Sequence, residues 1–183
     1  MGNGQTTTFC GIIQQVTTNR GNQKEMTAEE KGRLAKEYFL EGYNCAQSVL
    51  LAFCDETGLS KDQAARLASS FGGGMGRLRE VCGAVSSMFT VLGITNGYSD
   101  PRDKRQKDAQ YARVQRLAGE FRKTHHSVIC RDLLLDVETT DGSASEERTK
   151  QYYERRPCAC YVEDAAKLIA RELEEGTSEP EGR

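Results

Sequence analysis

The stretch VCGAVSSMFTVLGIT, residues 81–95, decides the fold. Val85, Met88, Phe89 and Leu92 recur at helical spacing, and apolar residues occupy more than one face of the implied helix. A helix that is apolar around most of its circumference is buried on most sides. The stretch therefore predicts a central helix from about Val81 to Thr95, with the other elements packed around it.

The segments on either side of that helix read as more helices. TAEEKGRLAKEYFLEG opens on a capping box, Thr27 with Glu30, carries Leu34, Tyr38 and Phe39 inward, and stops at Gly42. A second helix is expected from Asn44 as N-cap to about Glu56, with Val49, Leu50 and Phe53 inward and Gly58 after its end. SKDQAARLASSF repeats the capping pattern with Ser60 and Gln63, and the glycine-rich break GGGMGRLRE follows. Downstream, Asp100 is the expected N-cap and Pro101 the first residue of a long charged helix, whose inward stripe is Tyr111, Val114, Leu117, Ala118 and Phe121. SVICRDLLL reads as a short helix behind Ser127, and residues 136–151 as a polar loop, softest at TTDGSAS. A last helix is expected after Cys160, with Val162, Ala165, Ala166, Ile169 and Leu173 inward. No alternating strand pattern stands out. The expectation is an all-α, single compact helical domain of about six to seven helices over residues 27–175, between a disordered leader or extension (1–26) and a disordered tail (176–183).

A chain of 183 residues with 37% hydrophobic residues has material for one modest core. A net charge of -2 provides no basic field for nucleic acid. No apolar run approaches the roughly 18–20 residues of a membrane span. The first residues lack the basic start and apolar stretch of a secretory signal. MGNGQT fits the loose N-myristoylation pattern, but nothing downstream resembles the second anchor that stable attachment needs. The expected location is cytoplasmic.

There are seven cysteines: Cys10, Cys45, Cys54, Cys82, Cys130, Cys158 and Cys160. In a reducing compartment, that many thiols point to metal binding or redox chemistry more than to structural disulfides. Cys45 and Cys82 fall in the first turns of their helices, where unpaired N–H groups and the helix dipole favour a thiolate. Arg77 and Arg79 precede Cys82, and Arg155 and Arg156 precede Cys158; cations would act in the same direction. Each cysteine taken singly also suits a small buried hydrophobe. Cys54, late in an apolar run, reads as packing, and Cys10, in the leader, as incidental. Cys160 forms C-x-C with Cys158 and reads equally as a spare ligand or as packing. No C-x-x-C pair is present, so spacing alone does not separate a metal site from a dithiol. The glycines from Gly72 to Gly76 match no phosphate-loop pattern and suggest a tight backbone path that delivers Cys82 to a packed site. His125 and His126 suit the C-terminus of the long helix. There is no C-x-x-C-H haem attachment motif and no hydrolytic triad pattern.

EGYNCAQSVLLAF, FGGGMGRLREVCGAV, ICRDLL and the late cysteine before a final amphipathic helix together resemble the redox-active C_GCAxxG_C_C family, over about residues 28–173. The resemblance carries four cysteines over: Cys45, Cys82, Cys130 and Cys158. One departure is Ser87, where the family pattern expects a glycine. The family is similar to domains of split-Soret cytochromes, which implies electron transfer and an iron–sulfur cluster held by these four thiols. Two alternatives stand beside that expectation. One is thiol–disulfide chemistry with Cys45 or Cys82 as the attacking thiolate. The other is a zinc-stabilised helical interaction module. The expected partner is a redox protein, with a homodimer left open and neither nucleic acid nor membrane bound.

Overall fold

The computed structural model describes residues 25–140 and 142–176. It is all-α. The longer helices are α1 (Ala28–Leu40), α2 (Cys45–Leu51), α4 (Lys61–Ala68), α6 (Gly83–Asn96), α7 (Lys104–His125) and α10 (Cys158–Gly176). Between them lie the short segments α3 (Cys54–Thr57), α5 (Gly72–Met75), α8 (Cys130–Leu133) and α9 (Lys150–Arg155). Among the described residues there is no strand, only an isolated antiparallel bridge between Val81 and Ile129. No described helix is long and apolar enough to cross a membrane. The myristoylation pattern, Cys10 and most of the expected leader and tail lie outside the described residues.

α6 is the centre. Val85, Met88, Val91 and Leu92 are fully buried, and the helix packs against α2, α10, α7 and α3. α1 and α10 run against each other on one side, and α4 closes over α2. The capping boxes form as the sequence implied. Thr27 N–H donates to Glu30 Oε2 at 2.8 Å while Glu30 N–H donates to Thr27 Oγ1 at 3.2 Å, and Ser60 and Gln63 repeat the exchange.

Four boundaries differ from expectation. The helix expected from Asn44 to Glu56 breaks at Ala52–Phe53 into α2 and α3. There the buried Lys31 ammonium takes the Ala52 carbonyl at 2.8 Å and Glu56 at 2.7 Å, so a long-range partner replaces the helical one. The long helix begins at Lys104 rather than Pro101, because Asp103 caps it through Gln106 N–H at 2.9 Å while Asp100 binds Arg102 in the turn before. Its stripe ends at Val114: Tyr111 is 51% exposed and rests edge-on to Tyr98. The expected loop 136–151 gives way to α9, capped by Thr149. Finally, α10 begins at Cys158, three residues early, so both cysteines of the C-x-C pair are helical.

Candidate functional site

Every cysteine of the four-residue set stands at a helix start. Cys45, Cys130 and Cys158 are the first residues of α2, α8 and α10, and Cys82 is the N-cap of α6 rather than a member of its first turn. The four side chains line one cavity of about 240 Å³. Cys54 and the exposed Cys160 do not line it. All six described cysteines are free thiols.

The glycine-rich loop brings these elements together. Gly74 has φ 71°, and a Cβ there would stand 2.6 Å from Cys130 Cβ and 2.9 Å from Glu80 N. Only a glycine tolerates both the left-handed backbone and that approach. The strand-like run from Arg79 to Cys82 is then pinned to the segment before α8. Cys82 N–H donates to Val128 O at 2.8 Å, Cys130 N–H to Glu80 O at 2.6 Å, and Arg131 N–H to Arg79 O at 3.1 Å. Met75, Arg77 and Arg79 all have positive φ, between 61° and 72°. Non-glycine residues hold that conformation at a cost of roughly 1–2 kcal/mol each. Arg77 is fixed by donating to Thr140 O at 2.6 Å and Gly142 O at 2.8 Å.

The cavity wall is cationic. Among the described residues, Arg77, Arg79, Arg148 and Arg156 line it against a single carboxylate, Glu146. Glu146 pairs with Arg156 and lies 3.4 Å from Arg77 and 3.8 Å from Arg79. Burial opposes its ionisation, yet the Arg156 and Arg77 contacts hold its carboxyl below the ordinary value. The Arg148 guanidinium lies 4.6 Å from the Tyr152 ring and 4.8 Å from that of Phe39; Arg156 lies 4.8 Å from Tyr152 on its own account. Arg155, grouped with Arg156 in the sequence reading, turns away to Glu138 and does not line the cavity. Arg148, Glu146, Tyr152 and Tyr161 are cavity residues that the sequence reading did not single out. They come from the polar loop, α9 and α10, with no local spacing that links them to a thiol.

The protonation pattern departs from expectation. Helix starts were expected to favour thiolates at Cys45 and Cys82, but both are pushed up. Cys45 is raised chiefly by its hydrogen bond to Cys158, then by burial and the Cys158 charge. The first N–H groups of α2 are already taken: Ala46 and Gln47 each donate to Asn44 Oδ1 at 2.9 Å. Cys82 receives help from the Ala84 and Val85 N–H groups, but burial outweighs them and carries it to about 12. Cys130 is also raised by burial, with Arg79 pulling the other way. Cys158 is the exception. The hydrogen bond from Cys45 lowers it most, and against its burial Arg156 and Arg148 lower it further. Of the two, Cys158 is the thiol that ionises more readily and Cys45 the one that holds its proton more firmly.

Four thiols around one cavity are the right donor type for an iron–sulfur cluster. As placed, no three His, Cys, Asp or Glu side chains among the described residues are gathered closely enough to hold a metal ion.

In comparisons with known proteins, no curated protein and no solved structure matches the chain. The family model described as "Putative redox-active protein (C_GCAxxG_C_C)" matches residues 43–172, which include all four cavity cysteines. The chain belongs to the C_GCAxxG_C_C family, and a redox role follows from that membership.

Proposed function

We propose that this chain is a thiol–disulfide redox protein whose working pair is Cys158 and Cys45. The observation that carries the reading is that Cys45 and Cys158 line one cavity with Arg148 and Arg156, the Cys158 thiol lowered and the Cys45 thiol raised by their mutual contact. A thiolate held between a thiol and guanidinium groups is prepared to attack sulfur, and the adjacent thiol is placed to resolve the product. Against a disulfide, Cys158 Sγ forms a mixed disulfide and one substrate sulfur leaves as thiolate. Cys45 then gives up its proton and attacks Cys158 Sγ, expelling the second substrate sulfur. Two electrons pass from the chain to the substrate, and a Cys45–Cys158 disulfide remains. Cys82 and Cys130 stay protonated in this scheme. We assign the protein to the cytoplasm, where an external dithiol can restore the pair.

A second reading, an iron–sulfur centre on Cys45, Cys82, Cys130 and Cys158, draws on the four thiols sharing one cationic cavity. One experiment separates the two. Protein purified anaerobically is analysed for iron, zinc and inorganic sulfide, then titrated against a series of dithiol redox buffers with peptide mapping. Metal-free protein with a single two-electron transition mapped to Cys45–Cys158 supports the dithiol reading. Stoichiometric iron and sulfide, lost in Cys82→Ala and Cys130→Ala as well, supports the cluster. Zinc retained without any redox transition would leave the helical interaction module.

A further inference from the structure

We infer that the four-cysteine cavity takes a small sulfane-sulfur oxyanion of the thiosulfate type, its oxygens on Arg79 and Arg148 and its outer sulfur against Cys158. The inference rests on the thiol–disulfide reading above and names its substrate class.

Size is the first argument. A cavity of about 240 Å³ has room for roughly eight waters at about 30 Å³ each. That admits an ion of a few heavy atoms. Charge is the second. Among the described residues, four guanidinium groups line the cavity against one carboxylate, an excess of positive charge in a largely buried setting. Buried charge without a partner is costly, and a dianion supplies the missing one.

Hydrogen bonding is the third argument, and it says where the dianion sits. Arg77 and Arg156 are occupied by Thr140, Gly142 and Glu146. Arg79 Nη2, 3.8 Å from Glu146, and Arg148 Nη1 are buried and make no hydrogen bond to a described residue. Buried donors of this kind are normally satisfied, and planar guanidinium groups pair readily with oxyanions. Phosphate or sulfate would satisfy these donors but would leave the thiol pair unused. A sulfur oxyanion with an electrophilic outer sulfur uses both halves of the site.

The chemistry balances. Cys158 Sγ attacks the outer sulfur of thiosulfate, a new S–S bond forms, and the old S–S bond breaks with its electron pair leaving on sulfite. Cys158 is then a persulfide. Cys45 passes its proton to the terminal sulfur and attacks Cys158 Sγ, and hydrosulfide leaves. The two thiol sulfurs are oxidised to a disulfide, the sulfane sulfur is reduced, and an external dithiol returns the pair to its starting state.

The test uses the reduced full-length protein, mixed anaerobically with thiosulfate, with released sulfite and protein mass followed in time. The expected result is one sulfite per chain, followed by hydrosulfide and a Cys45–Cys158 disulfide. Cys45→Ser should stop at a protein heavier by one sulfur atom on Cys158. Arg79→Met and Arg148→Met should each raise the half-saturating thiosulfate concentration by at least about tenfold, with helical content by circular dichroism unchanged. Sulfate should compete with thiosulfate. Absence of sulfite release, in protein that still forms the Cys45–Cys158 disulfide in dithiol redox buffers, would overturn the inference and leave the thiol–disulfide reading intact. Failure of the disulfide as well would remove both. Sulfite release undiminished in the two arginine variants would also overturn the binding mode.

Discussion

Gly74 and Cys130 are in backbone-to-side-chain contact so close that one additional methyl group on Gly74 would stand 2.6 Å from Cys130 Cβ. The contact ties the glycine-rich loop to the start of α8 and sets the width of the cavity between them. Gly74→Ala meets two obstacles, a φ of 71° and the collision itself. Left-handed backbone costs an alanine about 1–2 kcal/mol and overpacking about 1–3 kcal/mol. The expected loss is about 2–4 kcal/mol by urea denaturation. A variant within about 0.5 kcal/mol of the parent would mean that the loop relaxes freely and does not fix the thiols.

Lys31 is only 4% exposed, and its ammonium bridges the Ala52 carbonyl and Glu56 where α2 ends. Removing one partner of a buried ion pair costs about 3–5 kcal/mol, less here because Glu56 is one-third exposed. Lys31→Met should therefore lose about 2 kcal/mol. Glu56→Gln should lose less, since the carbonyl contact survives. Equal losses in the two variants would show that the ion pair, not the carbonyl, holds the break.

The legible part of this fold was whatever depends on neighbours in the chain. Capping boxes at Thr27 and Ser60, the apolar circumference of α6 and the stripe of α10 are local patterns, and each appears where its residues are. The break at Ala52 was not legible, because its cause, Lys31, lies in another helix. The same division runs through the site. Motif resemblance singled out the four cysteines that share the cavity, but not which of them ionises most readily. That depends on Asn44 consuming the first N–H groups of α2, and on Arg148 reaching Cys158 from a loop with no motif.

Ser87, where the family pattern expects glycine, is fully buried in α6 and its hydroxyl has no hydrogen-bond partner. An unsatisfied buried hydroxyl costs about 1–3 kcal/mol. Ser87→Ala should raise stability by about 1 kcal/mol. Ser87→Gly should gain less, because glycine gives back about 0.5–1 kcal/mol in a helix interior. The comparison is made by thermal and urea melts; a destabilised alanine variant would show that the hydroxyl is bonded after all.

Alkaline pH should weaken the fold. Burial first, then the Cys158 charge, raises Cys82 from an ordinary value of 9.0 to about 12. Tyr152 and Tyr161, raised chiefly by burial, go from 10.0 to about 12. Between the ordinary and the raised values the unfolded chain releases protons that the folded chain keeps. Their contribution is therefore complete below pH 9 and is lost as pH rises toward 12. Cys82→Ala should flatten the first part of that decline in melts taken across the range. A parent whose stability is level over the interval would mean that these groups titrate normally.

The last expectation concerns which thiol reacts first. In a Cys160→Ser, Cys54→Ser background, which removes the two described thiols that do not line the cavity, a small alkylating reagent should modify Cys158 before any other described cysteine. The Cys45 hydrogen bond and the Arg156 and Arg148 charges lower its pKa. Its alkylation rate should thus rise through a midpoint below the ordinary thiol value of 9.0 and be flat above it. Arg148→Met should move the midpoint upward, because one of the two cations is gone while the Cys45 bond stays. Cys45→Ala should move it further, since that bond is the largest contribution. Peptide mapping at partial modification reads the order directly. Cys45 or Cys82 reacting ahead of Cys158 would reverse the charge assignment and return the attacking role to a thiol at the start of α2 or α6.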